Sequence, residues 1–391
     1  MLISLSYMLL LGMFLGWACK KCHLPALLGM MATGVLLGPY VTNLIDGSIL
    51  SISSELRRIA LIIILMRAGL SLELKDLKKV GIPAVLMCFV PACLEMIGMV
   101  LFAPKLLHIS LLDAAIMGSV IAAVSPAVIV PKMLKLMEEG YGTKQSIPQL
   151  ILAGASVDDV FVIVMFSVFT GLSKSQSVSA ITFAKIPLSI ITGIIVGAAL
   201  GYLLSVFFQK VSIRDTAKVI LLLCISFILV TLEDTIGNYV PFSGLIAVMF
   251  MGIFLQRLRG VVAIRLSTKF NKLWVGAEIL LFVLVGATIN PTYVMAAGLP
   301  AIALIFIVLL FRMFGVWLCM LPTSLTWKER LFCMLAYTPK ATVQAAIGGI
   351  PLSMGLSCGN IVLTVAVLAI IITAPLGAFL IEHTYRSFLS Q

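Results

Sequence analysis

Thirteen long apolar segments dominate this sequence of 391 residues. A helix needs about 20 predominantly apolar residues to cross the hydrocarbon core of a bilayer. Lipid offers the backbone no hydrogen-bonding partners, so helices satisfy it where loops and open sheets do not. We therefore predict an all-α polytopic membrane protein with 13 transmembrane helices. Their expected spans are 2–19, 24–43, 56–74, 80–103, 111–134, 146–171, 184–208, 217–236, 240–256, 271–290, 297–321, 328–350 and 358–381.

The composition excludes a soluble protein. The chain is 61% hydrophobic and only 11% charged, whereas soluble domains carry about 25% charged residues. We expect residues 1–391 to form a single integral membrane domain that contacts lipid. The net charge of +11 is explained by membrane orientation, so we expect no nucleic-acid partner. We also expect no cofactor and no enzymatic activity.

The basic residues predict how the chain is oriented. Of the 27 Lys and Arg residues, the predicted connections place 19 on one side of the membrane and 5 on the other. Cytoplasmic loops are enriched in Lys and Arg, so the richer side is cytoplasmic. The N-terminus is then outside and the C-terminus cytoplasmic, as an odd number of helices requires. We expect a multi-pass protein of the plasma membrane, such as the bacterial inner membrane.

Two predicted helices contain a proline at mid-depth. The fifth reads "VIAAVSPAVIVP", with Ser125-Pro126 at its centre, and the twelfth reads "MLAYTPKATVQAAIGGIP", with Thr338-Pro339. Proline removes a backbone donor and clashes with the preceding turn. One such proline is most often a simple kink in a packed helix. Two breaks at matching positions indicate inverted repeats, formed here by segments four to six and eleven to thirteen.

Seven charged residues lie well inside the predicted spans, away from their ends. Charges at mid-membrane cost several kcal/mol and usually mark a functional site or a buried pair. Adjacent helical residues point about 100° apart, so two neighbouring carboxylates can face different surroundings. The residues are Arg67, Glu95, Asp158, Asp159, Glu278, Arg312 and Lys340.

The pair Asp158-Asp159 in the sixth helix predicts an ion site. Burial and a like-charged neighbour both favour the protonated form of a carboxyl group. A sodium or lithium ion could then displace that proton. Hard cations prefer oxygen ligands. Ser156 and the backbone carbonyls freed near Ser125 and Thr338 could complete the shell. Mutually exclusive occupancy by cation and proton would couple their movements.

Three motifs carry a resemblance to a known family. "GASVDD" in the sixth helix, "YTPKATVQAAIG" in the twelfth and "RAGL" in the third together resemble the cation/proton antiporter superfamily, and most closely its NHA-type sodium/proton antiporters. The resemblance covers the whole chain. It implies the sodium/proton antiporter fold, with inverted repeats and two crossed broken helices. Neighbouring branches usually carry Asn-Asp where this chain has Asp158-Asp159.

The resemblance also implies an elevator-type exchanger that forms a homodimer. An ion-binding core, expected at residues 80–171 and 297–381, would slide against a scaffold that also forms the dimer interface. The scaffold is expected at residues 1–79 and 217–296, with a linker helix at 184–208.

The resemblance assigns roles to the buried charges. Asp159 matches the carboxylate that binds cation and proton alternately, and Asp158 matches its partner, which pairs with a basic residue, here Arg312. Glu95 and Lys340 match a second buried pair. Both pairs also fit a purely structural role as locks between helices. Some relatives have lysine in place of Arg312, and because arginine does not release its proton, the stoichiometry stays open.

Two further inferences come from the charges themselves. In the core, the three carboxylates and two basic groups sum to −1, which one monovalent cation or proton would neutralise. Arg67 and Glu278 lie at similar depth on scaffold helices, so we expect an ion pair between them without a role in transport.

Other functions fit the sequence less well. A potassium/proton exchanger or a channel-like efflux protein is one alternative, and a cation-coupled symporter on the same fold is another. An intramembrane aspartyl protease is excluded, because it needs two aspartates opposed on different helices. The sequence leaves open which of Na⁺, Li⁺ and K⁺ is preferred.

Overall fold

The protein is helical throughout the part of the chain that its computed structural model describes, residues 1–22, 24–71, 81–174, 180–236, 241–289 and 291–391. Within those ranges no residue lies in a β-strand. The helices are α1 (Leu2–Lys21), α2 (Ala26–Leu37), α3 (Gly47–Ser51), α4 (Ser53–Ser71), α5 (Ile82–Met87), α6 (Val90–Leu107), α7 (Leu111–Ile121), α8 (Pro126–Glu139), α9 (Ile147–Lys174), α10 (Ala180–Lys210), α11 (Asp215–Ile236), α12 (Gly244–Leu258), α13 (Gly260–Ala287), α14 (Pro291–Met320), α15 (Trp327–Ala336), α16 (Thr342–Ile347), α17 (Ile350–Ser353) and α18 (Gly359–Phe388).

Every predicted apolar segment coincides with one or more of these helices. Nine stretches of the described chain are long and apolar enough to cross a membrane, and α2 and α12 are shorter apolar helices. These findings show a multi-pass membrane protein, and the count of 13 crossings stays a prediction. The predicted connection that carries Lys75, Lys78 and Lys79 lies outside the described residues.

Both proline breaks are present where the sequence predicts them. Helix α7 ends at Ile121, residues 122–125 are not helical, and α8 begins at Pro126. Ser125 has ψ 110°, as expected for a residue that precedes proline. Helix α15 ends at Ala336 and α16 begins at Thr342. We call residues 122–125 the first break and residues 337–341 the second break.

The two breaks lie against each other. The backbone N–H of Ser125 donates to the carbonyl of Pro339 at 2.8 Å. A proline carbonyl accepts normally, although the ring removes the N–H donor. Each break is flanked by long helices in the same order along the chain, α6 and α9 around the first, α14 and α18 around the second. The opposite orientation of the two copies stays a prediction.

A further interruption was not predicted. The segment expected to be continuous over 80–103 is divided into α5 and α6 by Cys88 and Phe89. Pro91 lies in the first turn of α6, where the missing N–H is tolerated because it has no partner within the helix. The carbonyl of Met87, at the end of α5, accepts a hydrogen bond from the Tyr337 hydroxyl at 3.2 Å. The interruption therefore provides an acceptor for a residue of the second break.

The chain divides into two compact units. One contains Met1–Leu56, Asp76–Phe166 and Ile279–Gln391, and the other contains Arg57–Lys75 and Ser167–Glu278. Both breaks, and the buried charges on α6, α9 and α14, belong to the first unit. The assignment of core and scaffold functions to parts of the chain stays a prediction.

Helices α6 and α14 pack at close range within the first unit. A Cβ atom on Gly315 would lie 2.7 Å from Pro91 Cα, and one on Gly98 would lie 2.9 Å from Phe311 Cγ. Glycine is therefore required for this approach. Glu95 lies three residues before Gly98 and Arg312 three residues before Gly315, so each charged residue is one turn from a close contact.

An ionic cluster joins the end of α8 to α18. Glu382 accepts hydrogen bonds from Lys132 and Lys135, each at 2.5 Å. Tyr385 donates to Glu139 at 3.0 Å. All four charged side chains are about one-third exposed, so the cluster is only partly shielded from solvent.

Candidate functional site

Arg312 occupies the centre of the site and is fully buried. Its Nη2 donates to Asp158 Oδ2 at 2.8 Å, and its Nη1 donates to Glu95 Oε2 at 2.9 Å. The same guanidinium contacts both breaks, through Nη1 to the Ala122 carbonyl and through Nε to the Tyr337 carbonyl at 2.8 Å. The rigid fork of arginine allows this many simultaneous directed bonds.

Lys340 adds a second positive charge. Its ammonium donates to Glu95 Oε2 at 2.6 Å, and its own backbone N–H donates to Thr373 on α18 at 2.9 Å. Lys340 is 1% exposed and Glu95 is fully buried. Both predicted pairs, Asp158–Arg312 and Glu95–Lys340, are therefore present. Arg312 also bonds Glu95 Oε2, which the sequence analysis did not predict, and so joins the two pairs into one network of four charges.

Asp158 is fully buried, and its two oxygens differ. Oδ2 accepts from Arg312 and from the Val124 N–H in the first break, at 2.8 Å each. Oδ1 has no hydrogen-bond partner among the described residues. A buried carboxylate oxygen without a donor is costly, so Asp158 retains one oxygen that can accept a proton or contact a cation while the other holds Arg312.

The remaining predicted ligands have different surroundings. Asp159 lies next to Asp158 on α9 and is half-buried. Ser125 is 1% exposed, and its hydroxyl has no partner in the described part of the chain. The Thr338 hydroxyl donates to the Leu335 carbonyl at 2.8 Å, so it caps the end of α15. Ser156 is on α9 as well, but its side chain lies outside the description.

Three backbone carbonyls at the start of the first break, those of Ile121, Ala122 and Ala123, are already engaged, which the sequence analysis did not anticipate. The Gln344 amide nitrogen donates to the carbonyl of Ile121 at 3.0 Å and to the carbonyl of Ala123 at 2.8 Å. Arg312 donates to the carbonyl of Ala122. The expectation that these carbonyls are free to bind an ion is corrected to this extent. Gln344 stood within the quoted "YTPKATVQAAIG" motif, and a buried amide in an apolar segment was the signal that could have identified it.

Tyr337 is the other residue that the sequence analysis missed. It is fully buried, its ring centroid lies 5.0 Å from the Arg312 guanidinium carbon, and its hydroxyl donates to Met87. An aromatic ring near a buried guanidinium supplies a favourable cation–π contact. Tyr337 therefore helps to hold Arg312 in one orientation.

A formal count of charge describes what this arrangement can do. Asp158, Glu95, Arg312 and Lys340 are joined by hydrogen bonds and their formal charges cancel. Asp159 brings the sum for the five groups to −1. A proton or one monovalent cation would make the sum zero.

Comparison with known proteins identifies the family. The sequence profile described as "Sodium/hydrogen exchanger, transmembrane" matches residues 8–385. The chain belongs to the sodium/hydrogen exchanger family. It is 33% identical over 377 residues to sodium/hydrogen exchanger 9B2 of Mus musculus, covering 92% of this chain and 67% of that one. The predicted resemblance to the cation/proton antiporter superfamily is confirmed, and its NHA-type branch is consistent with these relatives.

The chain is also similar to other sodium/hydrogen exchangers. The chain is 34% identical to sodium/hydrogen exchanger 9B2 of Homo sapiens, over 92% of this chain and 68% of that one. It is 30% identical to human sodium/hydrogen exchanger 9B1, over 91% of this chain and 71% of that one. Among solved structures, the sodium proton antiporter MjNhaP1 from Methanocaldococcus jannaschii superposes with a TM-score of 0.82, 20% identity and 97% coverage of both chains. That likeness shows a shared antiporter fold.

Proposed function

We propose that this exchanger moves a monovalent cation, Na⁺ or Li⁺, across the membrane in exchange for protons. Asp159, and in part Asp158, bind the cation and the proton in turn. The observation that carries the proposal is the balanced network at the two breaks. Arg312 and Lys340 are matched by Asp158 and Glu95, so Asp159 supplies the charge by which one bound cation or proton changes the state of the site.

Mutually exclusive occupancy provides the coupling. A site whose five charged groups sum to −1 is neutral with either one proton or one monovalent cation, and positive with both. A net charge in a low-dielectric core is unfavourable. The neutral, loaded core is therefore the form that crosses the membrane, and the charged, empty core is retained. This preference makes the process an exchange.

The two aspartates contribute unequally. Asp158 Oδ2 is held by Arg312 and the Val124 N–H, so only Oδ1 is available to a ligand. Asp159 is half-buried, and in this proposal it is the carboxylate that exchanges its cation or proton with water. Ser156 lies two residues before Asp158 on α9, and Ser125 and Thr338 lie in the two breaks. We propose these three residues as further ligands.

The transport cycle is of the elevator type in this proposal. The core at residues 80–171 and 297–381 carries the site, the scaffold at 1–79 and 217–296 forms a homodimer interface, and the helix at 184–208 links them. The Ser125–Pro339 hydrogen bond, and the bonds of Arg312 to both breaks, favour movement of the core as one body. The N-terminus lies outside and the C-terminus in the cytoplasm.

Proton flux in proteoliposomes tests this function. The full chain is reconstituted with an outwardly directed proton gradient, and NaCl, LiCl or KCl is added with the membrane potential clamped. We expect Na⁺ or Li⁺ to drive proton movement in the opposite direction. Asp159→Asn should abolish it. Asp113→Asn is the matched control, because Asp113 is a carboxylate in the first turn of α7 that accepts a hydrogen bond from the Ser110 hydroxyl.

The signs and the ion series separate the alternatives. Proton movement in the same direction as the cation would show symport and overturn the exchange proposal. A response to K⁺ alone would replace Na⁺ and Li⁺ by K⁺. Wild-type flux in a folded Asp159→Asn protein would overturn the assignment of the site.

A further inference from the structure

Gln344 connects the two breaks through a single side chain. It belongs to α16, directly after the second break, and it is 1% exposed. Its amide nitrogen donates to the carbonyls of Ile121 and Ala123, at 3.0 and 2.8 Å, at the first break. Both N–H donors of the amide are thus used on a segment that lies more than 200 residues earlier in the chain.

The orientation of this amide is fixed. If the side-chain oxygen and nitrogen were exchanged, an oxygen would face two carbonyl oxygens. With the nitrogen in that place, Oε1 points away and has no hydrogen-bond partner among the described residues. An amide can donate two bonds and accept two, and here the donors are satisfied while the acceptor is left without one. The two hydrogen bonds that the amide nitrogen donates therefore fix the orientation of this side chain.

The carbonyl that Gln344 holds belongs to the same peptide group as a donor to Asp158. The Ala123 carbonyl accepts from Gln344, and the Val124 N–H donates to Asp158 Oδ2 at 2.8 Å. The C=O and N–H of one planar trans peptide point in opposite directions. Gln344 and Asp158 consequently hold this peptide from its two sides. Hydrogen bonds in such a chain polarise and strengthen one another.

We propose that Gln344 is a positioning residue for the ion site. By holding the Ala123–Val124 peptide, it aims the Val124 N–H at Asp158 and keeps Oδ2 engaged, so that Oδ1 is the oxygen presented to a ligand. This role adds detail to the proposed function. Of the two measurements below, only the transport measurement depends on that function.

Hydrogen exchange of the full-length protein tests the contact without any transport. Gln344→Met keeps the length of the side chain and removes both donors, and Gln344→Glu places oxygens against the two carbonyls. In either variant we expect the amides of the peptide covering residues 121–125 to exchange about tenfold faster, the factor that about 1.4 kcal/mol gives. Thr342→Val is the control, because Thr342 is equally buried on the same helix and its hydroxyl bonds to no described residue.

Exchange kinetics test the functional role. We expect Gln344→Met to raise the KM for the cation about tenfold and to leave the maximal rate within about twofold, because aim is lost while the reacting carboxylates remain. A purely structural role would lower the amount of active protein, and so the maximal rate, at unchanged KM.

Each arm has an outcome that overturns the proposal. Unchanged hydrogen exchange at 121–125 in both Gln344 variants would show that the contact does not hold the break. Faster hydrogen exchange with an unchanged KM would show that the held peptide does not position the ion site. Failure of the wild-type protein to exchange any cation would contradict the proposed function, and the hydrogen-exchange arm would still decide whether Gln344 holds the break.

Discussion

Asp158 and Arg312 form a salt bridge of 2.8 Å between Oδ2 and Nη2, and neither side chain has any exposed surface. Breaking a buried ion pair by removing one partner costs about 3–5 kcal/mol, because a buried charge loses its counter-ion. In this protein Arg312 keeps Glu95 when Asp158 is neutralised. The loss from Asp158→Asn is therefore limited by the remaining partner.

The first prediction compares the two carboxylates of the network. Glu95→Gln should lower the free energy of unfolding by about 3–5 kcal/mol, and more than Asp158→Asn does, because Glu95 holds both Arg312 and Lys340. Thermal unfolding of each purified variant measures the order. Asp158→Asn as the more damaging change would contradict the network as described.

The second prediction concerns the close approach of α6 and α14. Gly315→Ala should destabilise the protein by about 1–3 kcal/mol, the range for overpacking, because its Cβ would lie 2.7 Å from Pro91 Cα. Gly276→Ala in α13 is the control, since nothing lies within 4 Å of the added Cβ and alanine favours helix by about 1 kcal/mol. Thermal unfolding of both variants checks the expected opposite signs.

The third prediction uses the Glu382 cluster. Glu382→Gln leaves Lys132 and Lys135 without the carboxylate that both contact. We expect a loss of about 0.5–1 kcal/mol at low ionic strength, since partly exposed pairs contribute little. The difference from wild type should shrink as NaCl rises, because salt screens such charges. A difference that stays constant between about 0.05 and about 1 M NaCl, where screening changes strongly, would show that packing and not charge is responsible.

The fourth prediction concerns Arg67 and Glu278. Arg67 donates to Asn271 at 3.0 Å and lies over the Trp274 ring at 5.6 Å, and both partners are on α13, the helix that carries Glu278. The ion pair of Arg67 with Glu278 stays a prediction. A double-mutant cycle with Arg67→Met and Glu278→Gln should give a coupling energy of about 0.5–3 kcal/mol and an unchanged cation KM. Additive effects on stability would contradict the pair.

Local chemistry explains which parts of the fold could be predicted. Length and apolarity identify the helices, because a bilayer imposes both on any spanning segment. Pro126 and Pro339 identify the two breaks, because proline acts on the turn that precedes it. The division at Cys88 and Phe89 was not predicted. The apolar run is continuous there, and a proline in the first turn of a helix, such as Pro91, does not by itself indicate a break.

Tertiary contacts explain what the sequence could not show about the site. The pairing of Asp158 with Arg312, and of Glu95 with Lys340, followed from the family resemblance. That Arg312 also bonds Glu95 depends on which oxygen faces which nitrogen, which is set by the packing of α6 against α14. The engagement of the Ile121 and Ala123 carbonyls by Gln344 likewise depends on how the two breaks lie against each other.

The close approach of α6 and α14 has a consequence for comparing sequences. Residues 95–98 read E-M-I-G and residues 312–315 read R-M-F-G, so an ion-pair partner precedes a contact glycine by three positions in both helices. The charged residues and the glycines act together, because the salt bridge of 2.9 Å between Glu95 and Arg312 requires the close approach of the two helix backbones that the glycines allow. In a divergent chain, the E-x-x-G and R-x-x-G motifs should therefore be gained or lost together, as a set of four positions. A sequence that keeps only one of the two motifs should lack this salt bridge.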